Sequence, residues 1–131
     1  MSYVTIPARP DAGAIARRAI STWLGSHPRL DDALLAVTEL VNNAVVHGGL
    51  ADGEDLTITM QPEGNGIRLT VRHAGVPFEV TELPPQSLDP NASRGLAIVA
   101  QIADRWGVDS DGTAVTAWFE VSPGTVGQNG R

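Results

Sequence analysis

Apolar residues recur along this chain in two rhythms, and the switches between them mark out its elements. Tyr3 to Ile6, closed by Pro7 and Pro10, reads as a short edge strand. From Asp11 the spacing turns helical, with Ile15, Ala19, Ile20, Trp23 and Leu24 on one side and Gly25 and Pro28 ending the run. Leu30, Leu34, Val37, Val41 and Ala44 form the apolar stripe of a second helix, stopped by Gly48-Gly49. Period-two alternation follows: Leu56, Ile58 and Met60 against Thr57 and Thr59, then Ile67, Leu69 and Val71 against Arg68, Thr70 and Arg72. Glu63-Gly64-Asn65-Gly66 between them suits a hairpin turn. Residues 76 to 94 carry four prolines among polar residues and read as a long loop, of the kind that serves as a binding lid. A short helix from Leu96 to Asp104 and two closing strands, Arg105 to Asp109 and Thr113 to Val121, complete the chain. This order predicts a two-layer α/β (α+β) sandwich, three helices on one face of a mixed, mostly antiparallel sheet.

Composition narrows the setting. The chain has 131 residues, enough for one core, and divides into a single domain over 1–122 and a Gly-containing tail over 123–131. Its formal net charge is −6, with nine basic residues against fifteen acidic ones. A duplex-binding surface needs lysine and arginine in excess, so nucleic acid is not an expected partner. A small anion such as a nucleotide remains compatible, because backbone N–H groups and one arginine hold it locally. No apolar run approaches a membrane span, no signal-peptide pattern opens the chain, and cysteine is absent. A cytoplasmic protein is the resulting expectation.

The second helix carries polar groups that packing alone does not ask for. Glu39, Asn43 and His47 are spaced i, i+4, i+8 and rise as one stripe on an α-helix. Asparagine is a mediocre helix former because its amide competes for backbone hydrogen bonds, yet Asn42 and Asn43 sit together mid-helix. A carboxylate one turn from a carboxamide offers a proton acceptor beside an oxygen ligand for a hydrated divalent metal. A solvated helix face is the plain alternative. Two further segments bear on the choice. Val71-Arg72-His73-Ala74-Gly75-Val76-Pro77 is an apolar strand that ends in a polar residue and a glycine. Ser93-Arg94-Gly95-Leu96-Ala97-Ile98-Val99 reads as a small-residue turn opening a helix, whose free N–H groups and Arg94 suit phosphate oxygens.

With these three segments in this order the chain resembles the Bergerat-fold (GHKL) ATPases, and within them the small anti-sigma-factor serine kinases, over roughly residues 3 to 121. Thr38-Glu39-Leu40-Val41-Asn42-Asn43-Ala44-Val45-Val46-His47-Gly48 looks like the family's N box. Gly75 matches the glycine of its Asp-x-Gly box, and Arg94-Gly95-Leu96 its second glycine box. Ala103-Asp104-Arg105-Trp106-Gly107 and Thr116-Ala117-Trp118-Phe119-Glu120 are also similar to these regulators. The resemblance implies that Asn43 ligates the magnesium bridging the ATP phosphates and that Glu39 is the general base for a serine hydroxyl. It places His47 near the phosphates and Thr116, or Thr113 under another register, at the adenine. It implies an ATP–Mg-dependent serine/threonine kinase acting on an anti-anti-sigma (STAS-like) protein, with a sigma factor as a further partner and a homodimer as its assembly.

Two positions depart from the family pattern. The adenine-reading Asp falls on His73, whose neutral imidazole has one acceptor nitrogen in place of two carboxylate oxygens. Loss of one buried partner costs ~1–3 kcal/mol. Ser93 stands where glycine is usual and would stiffen a hinge that needs positive φ. These departures motivate the alternative of a non-catalytic regulatory module with a degenerate pocket. A stand-alone histidine kinase fits less well, since no dimerisation helix or phospho-acceptor segment precedes the domain in this sequence. His73 as a backbone-bonded strand end, His47 as a cation at a helix C-terminus and Arg94 as a solvated charge are the bland readings of those residues. Trp23 and Phe119 are expected in the core; Trp106 and Trp118 fit either core or partner surface.

Overall fold

The computed structural model describes residues 1–47, 54–74, 90–110 and 113–123. Its elements run β1 (Ser2–Pro7), α1 (Ala12–Leu24), α2 (Leu30–Asn42) with a π-helical turn Asn43–His47, β2 (Asp55–Glu63), β3 (Gly66–Ala74), α3 (Pro90–Ile102), β4 (Arg105–Ser110) and β5 (Ala114–Val121). The sheet order is β1-β2-β3-β5-β4 and every pairing is antiparallel. Gly48-Gly49, Gly75 and residues 76–89 of the expected lid lie outside the described residues.

Strand alternation sets which side of the sheet is covered. Ile58, Val71, Ala117 and Val108 share one row across four strands, and Met60, Leu69, Phe119 and Trp106 the next. These residues join Ala16 and Ile20 of α1, Val37, Leu40 and Val41 of α2, and Leu96 and Val99 of α3 in one apolar core. Phe119, Ile58 and Leu69 are wholly buried; full burial of such a side chain contributes about 1.5–3 kcal/mol. The opposite sheet face carries Thr59, Thr70, Arg68, Arg72, Thr116, Trp118 and Glu120, so the architecture is two-layered.

The helices pack through smaller residues than the hydrophobic pattern suggests. On α1 the buried set is Ala12, Gly13, Ala16 and Ile20, while Ile15, Trp23 and Leu24 flank the core. On α2 it is Ala33, Ala36, Val37, Leu40 and Val41, with Leu30 and Leu34 only half-buried. Small side chains occupy the line where helices approach most closely, and larger ones close the margins. Gly25 ends α1 at φ +56°, its N–H donating to Ser21 O. Gly64, at φ +61°, is the first of two central residues between the paired Glu63 and Gly66, the arrangement of a type II′ hairpin.

One element begins earlier than its sequence suggests. The expected helix from Leu96 to Asp104 is α3, which starts at Pro90, so residues 90–94 of the expected loop are helical. Proline suits the first helical position, where its missing N–H leaves no bond unmade and its fixed φ is already helical.

Candidate functional site

Helix α2 stacks Glu39 and Asn43 one turn apart, and the backbone N–H of Asn43 donates to Glu39 O and Leu40 O. Glu39 is half-buried. Asn43 is 4% exposed, and its Nδ2 is a buried donor with no hydrogen-bond partner among the described residues. Leaving such a group unmade costs about 1–3 kcal/mol, so its retention asks for an explanation. From Asn43 the backbone widens into the π turn through His47, a distortion frequent at functional sites. The α-helical arithmetic that places His47 on the stripe of Glu39 and Asn43 therefore stops at Asn43. His47 is placed by its backbone alone.

Helix α3 supplies the opposite wall. A Cβ built on Gly95 falls 2.8 Å from Glu39 Oε1 and 3.4 and 3.5 Å from Asn43 Nδ2 and Oδ1. Gly95, far from Glu39 and Asn43 in sequence, thus meets both at one point. The route differs from the expected one. Ser93, Arg94 and Gly95 are interior residues of α3, not a turn opening it, so the free N–H groups of its first turn precede Gly95. Ser93 is no positive-φ hinge, since no described residue other than glycine has positive φ. The backbone of Arg94 is helical. Leu96 turns into the core at 2% exposure, so its side chain does not line the site.

His73 and Thr116 lie on opposite faces of the sheet. His73 is paired with Leu56 and Val115, faces the helical layer and is 4% exposed. Its Nδ1 lies 3.0 Å from Ala74 O; a carbonyl only accepts, so Nδ1 is the donor of that contact, and the tautomer protonated there has Nε2 as its acceptor. Thr116 is paired with Arg72 and sits between the buried Val115 and Ala117, so it faces outward. The resemblance places Thr116, or Thr113 under another register, at the adenine; Thr116 lies on the sheet face opposite the helical layer that carries Glu39 and Asn43, and opposite His73. Strict alternation along β5 is the reason. Thr113 stands exposed just before β5.

No group of three or more His, Asp or Glu that could hold a metal occurs among the described residues. A magnesium ion does not need one, because it is commonly held by one or two protein oxygens together with substrate phosphates and water. The Asn43 amide oxygen beside Glu39 is of the donor type that arrangement uses, while the unpartnered Nδ2 is a hydrogen-bond donor of the kind a phosphate oxygen accepts from.

A family model described as the histidine kinase-like ATPase domain matches residues 6–119. The chain belongs to that family. Solved structures agree on the fold of this ATPase-domain protein. The RsbU and RsbW domains of Rv1364c from Mycobacterium tuberculosis align at TM-score 0.71 and 20% identity, over 92% of this chain and 31% of that one. The histidine kinase domain of the blue-light activated kinase EL346 from Erythrobacter litoralis aligns at 0.56 and 17% identity, over 94% and 64%. Histidine kinase AdeS from Acinetobacter baumannii aligns at 0.54 and 11%, over 93% and 68%. The chain therefore spans about a third of the first of these and under two thirds of the second. No curated protein matches the chain. No described helix is long and apolar enough to cross a membrane.

Two structural features escaped sequence reasoning. Arg29 is buried at 2% exposure and bonds Asp32, Ser122 O and Ile102 O. On the outer sheet face Arg68 stacks 4.0 Å over Trp118 and bonds Glu120, which also pairs with Arg105. A charged residue is expected at the surface, so only its spatial partners reveal the first. The second had a signal: Arg68, Trp118 and Glu120 all fall on the polar phase of their strands.

Proposed function

We propose that this ATPase-domain protein binds ATP with magnesium and transfers the γ-phosphoryl group to a serine of a small antagonist protein of the anti-anti-sigma type. In the same reading it sequesters a sigma factor in the cytoplasm. The observation that carries the proposal is the convergence beside Gly95 of the Glu39 carboxylate and the Asn43 amide, whose Nδ2 has no partner among the described residues. The RsbW domain named in one similar structure motivates the regulatory setting.

Each residue has a definite task. The serine Oγ attacks the γ-phosphorus, forming the new O–P bond while the bond to the β–γ bridging oxygen breaks. That electron pair leaves with ADP, and the hydroxyl proton passes to a Glu39 carboxylate oxygen. Glutamate suits the task because an ionised carboxylate only accepts. Magnesium, when bound, neutralises phosphate charge, and the Asn43 amide oxygen would be its protein ligand. His73 offers Nε2 to a donor on the base, Gly75 follows it beside the ligand, and Arg94 with the first-turn N–H groups of α3 is assigned to the phosphates. Asn43→Ala should weaken magnesium-dependent ATP binding at least tenfold by calorimetry. Glu39→Gln should bind ATP normally but lower transfer by about 100-fold or more. No binding of ATP–Mg at millimolar concentration removes the proposal.

His73 favours a second reading, a regulatory module that acts by protein contact with a weakened pocket. A carboxylate offers two acceptor oxygens where the imidazole has one. If His73→Asp creates ATP binding that the parent lacks, the second reading stands. Equal binding by parent and variant removes it.

A further inference from the structure

Gly95 occupies the interior of α3, where glycine is the poorest ordinary helix former and alanine the best. Its backbone does not require glycine: the described glycines with positive φ are Gly25 and Gly64. What it provides is space, because the position its Cβ would take lies 2.8 Å from Glu39 Oε1.

We infer that Gly95 is a positioning residue for Glu39, its missing side chain forming the seat that holds the carboxylate beside the Asn43 amide. The inference rests on the phosphotransfer reading above, and it assigns Gly95 a role other than admitting phosphate. The two neighbours of that seat respond differently to a methyl group. At 2.8 Å the Glu39 oxygen must move, and it moves cheaply as the free end of a flexible side chain. At 3.4 and 3.5 Å the Asn43 amide meets ordinary van der Waals contact and stays. A methyl at position 95 therefore separates the two functions, displacing the base while sparing the amide.

The test is Gly95→Ala in the full chain, with ATP–Mg as ligand and water as the phosphoryl acceptor. In that assay a water oxygen attacks the γ-phosphorus, its proton passes to Glu39, and the bridging bond breaks to release ADP. Calorimetry should give a Kd within threefold of wild type, while kcat for phosphate release falls at least tenfold at unchanged KM. The Tm should hold or rise, since alanine favours the helix. Glu39→Asp withdraws the carboxylate by one methylene, away from a methyl at position 95, so the fold-loss of the double variant Glu39→Asp/Gly95→Ala should fall at least fivefold short of the product of the two single fold-losses, a coupling that a merely structural role does not produce. Independently of turnover, the Glu39 carboxyl carbon resonance should move in Gly95→Ala while the Asn43 side-chain amide peaks stay.

A Kd weakened as much as kcat would assign Gly95 to the phosphates and overturn the inference. So would an unmoved Glu39 resonance. If wild type fails to bind ATP–Mg, or Glu39→Gln turns over as fast as wild type, the phosphotransfer reading falls separately. The carboxyl resonance then still decides whether Gly95 seats Glu39.

Discussion

Replacing Arg29 by alanine should destabilise the protein by about 3–4 kcal/mol. The guanidinium is 2% exposed and reaches three elements at once. Its Nε donates to Asp32 Oδ2 at 2.9 Å, and two terminal nitrogens donate to Ser122 O at 2.9 Å and Ile102 O at 2.6 Å. Asp104 lies at 3.6 Å. Hydrogen bonds to a charged group contribute about 1.5–3 kcal/mol each, but they share one side chain and do not add. The carboxylates also recover water when released, since Asp32 is 40% and Asp104 25% exposed. The main loss is therefore two carbonyls left without their donor and a cavity the size of the side chain. At this chain length that corresponds to a fall in Tm of roughly 10–15 °C. Arg29→Lys keeps the charge but loses the planar fork, and should fall about midway. Urea unfolding followed by circular dichroism, at unchanged m-value, measures both. A loss below 1 kcal/mol for Arg29→Ala would refute the reasoning.

Gly107→Ala should disturb the outer face, because a Cβ there lies 2.9 Å from Trp118 Cζ2 and Nε1. A loss of about 1–2 kcal/mol with a changed tryptophan emission is expected, and an unchanged spectrum would contradict it. Thr116→Val should leave ATP affinity within twofold by calorimetry, since the residue faces away from the helices. A tenfold loss would return Thr116 to the pocket.

Much of this fold can be read from the residues, and the failures share physical causes. Alternation locates β2 and β3 because one face of each is covered and the other open, so period two is strict. The same alternation along Val115, Ala117 and Phe119 carries the information that Thr116 points outward. The start of α3 was obscured because Pro90 follows Asp89 and resembles turn punctuation, although proline is equally at home as a first helical residue. The buried faces of α1 and α2 use smaller residues than their hydrophobic pattern indicates, because hydrophobicity says little about how closely two backbones approach. Glu39 and Asn43 were legible from their spacing, but the use of Gly95 was not. A missing side chain has meaning only once its neighbours are in place.

The candidate site and the Arg29 contacts are two ends of one arrangement. Along α2 the chain climbs from Arg29 to Asn43, while the matching points on α3 run from Ile102 back to Gly95, so the helices lie antiparallel. The span is about 10 Å on α3 and about 20 Å on α2, and the extended arginine side chain makes up much of the difference. Both contacts use residues that local propensity disfavours: a buried charge at one end, a mid-helix glycine and a buried unpaired amide at the other. Each is tolerated because Val37, Leu40 and Val41 of α2 and Leu96 and Val99 of α3 are buried in one common core, whose burial outweighs those local costs. In the proposed phosphotransfer, a carboxylate seated against a neighbouring helix is positioned before substrate arrives, which is what such a base requires.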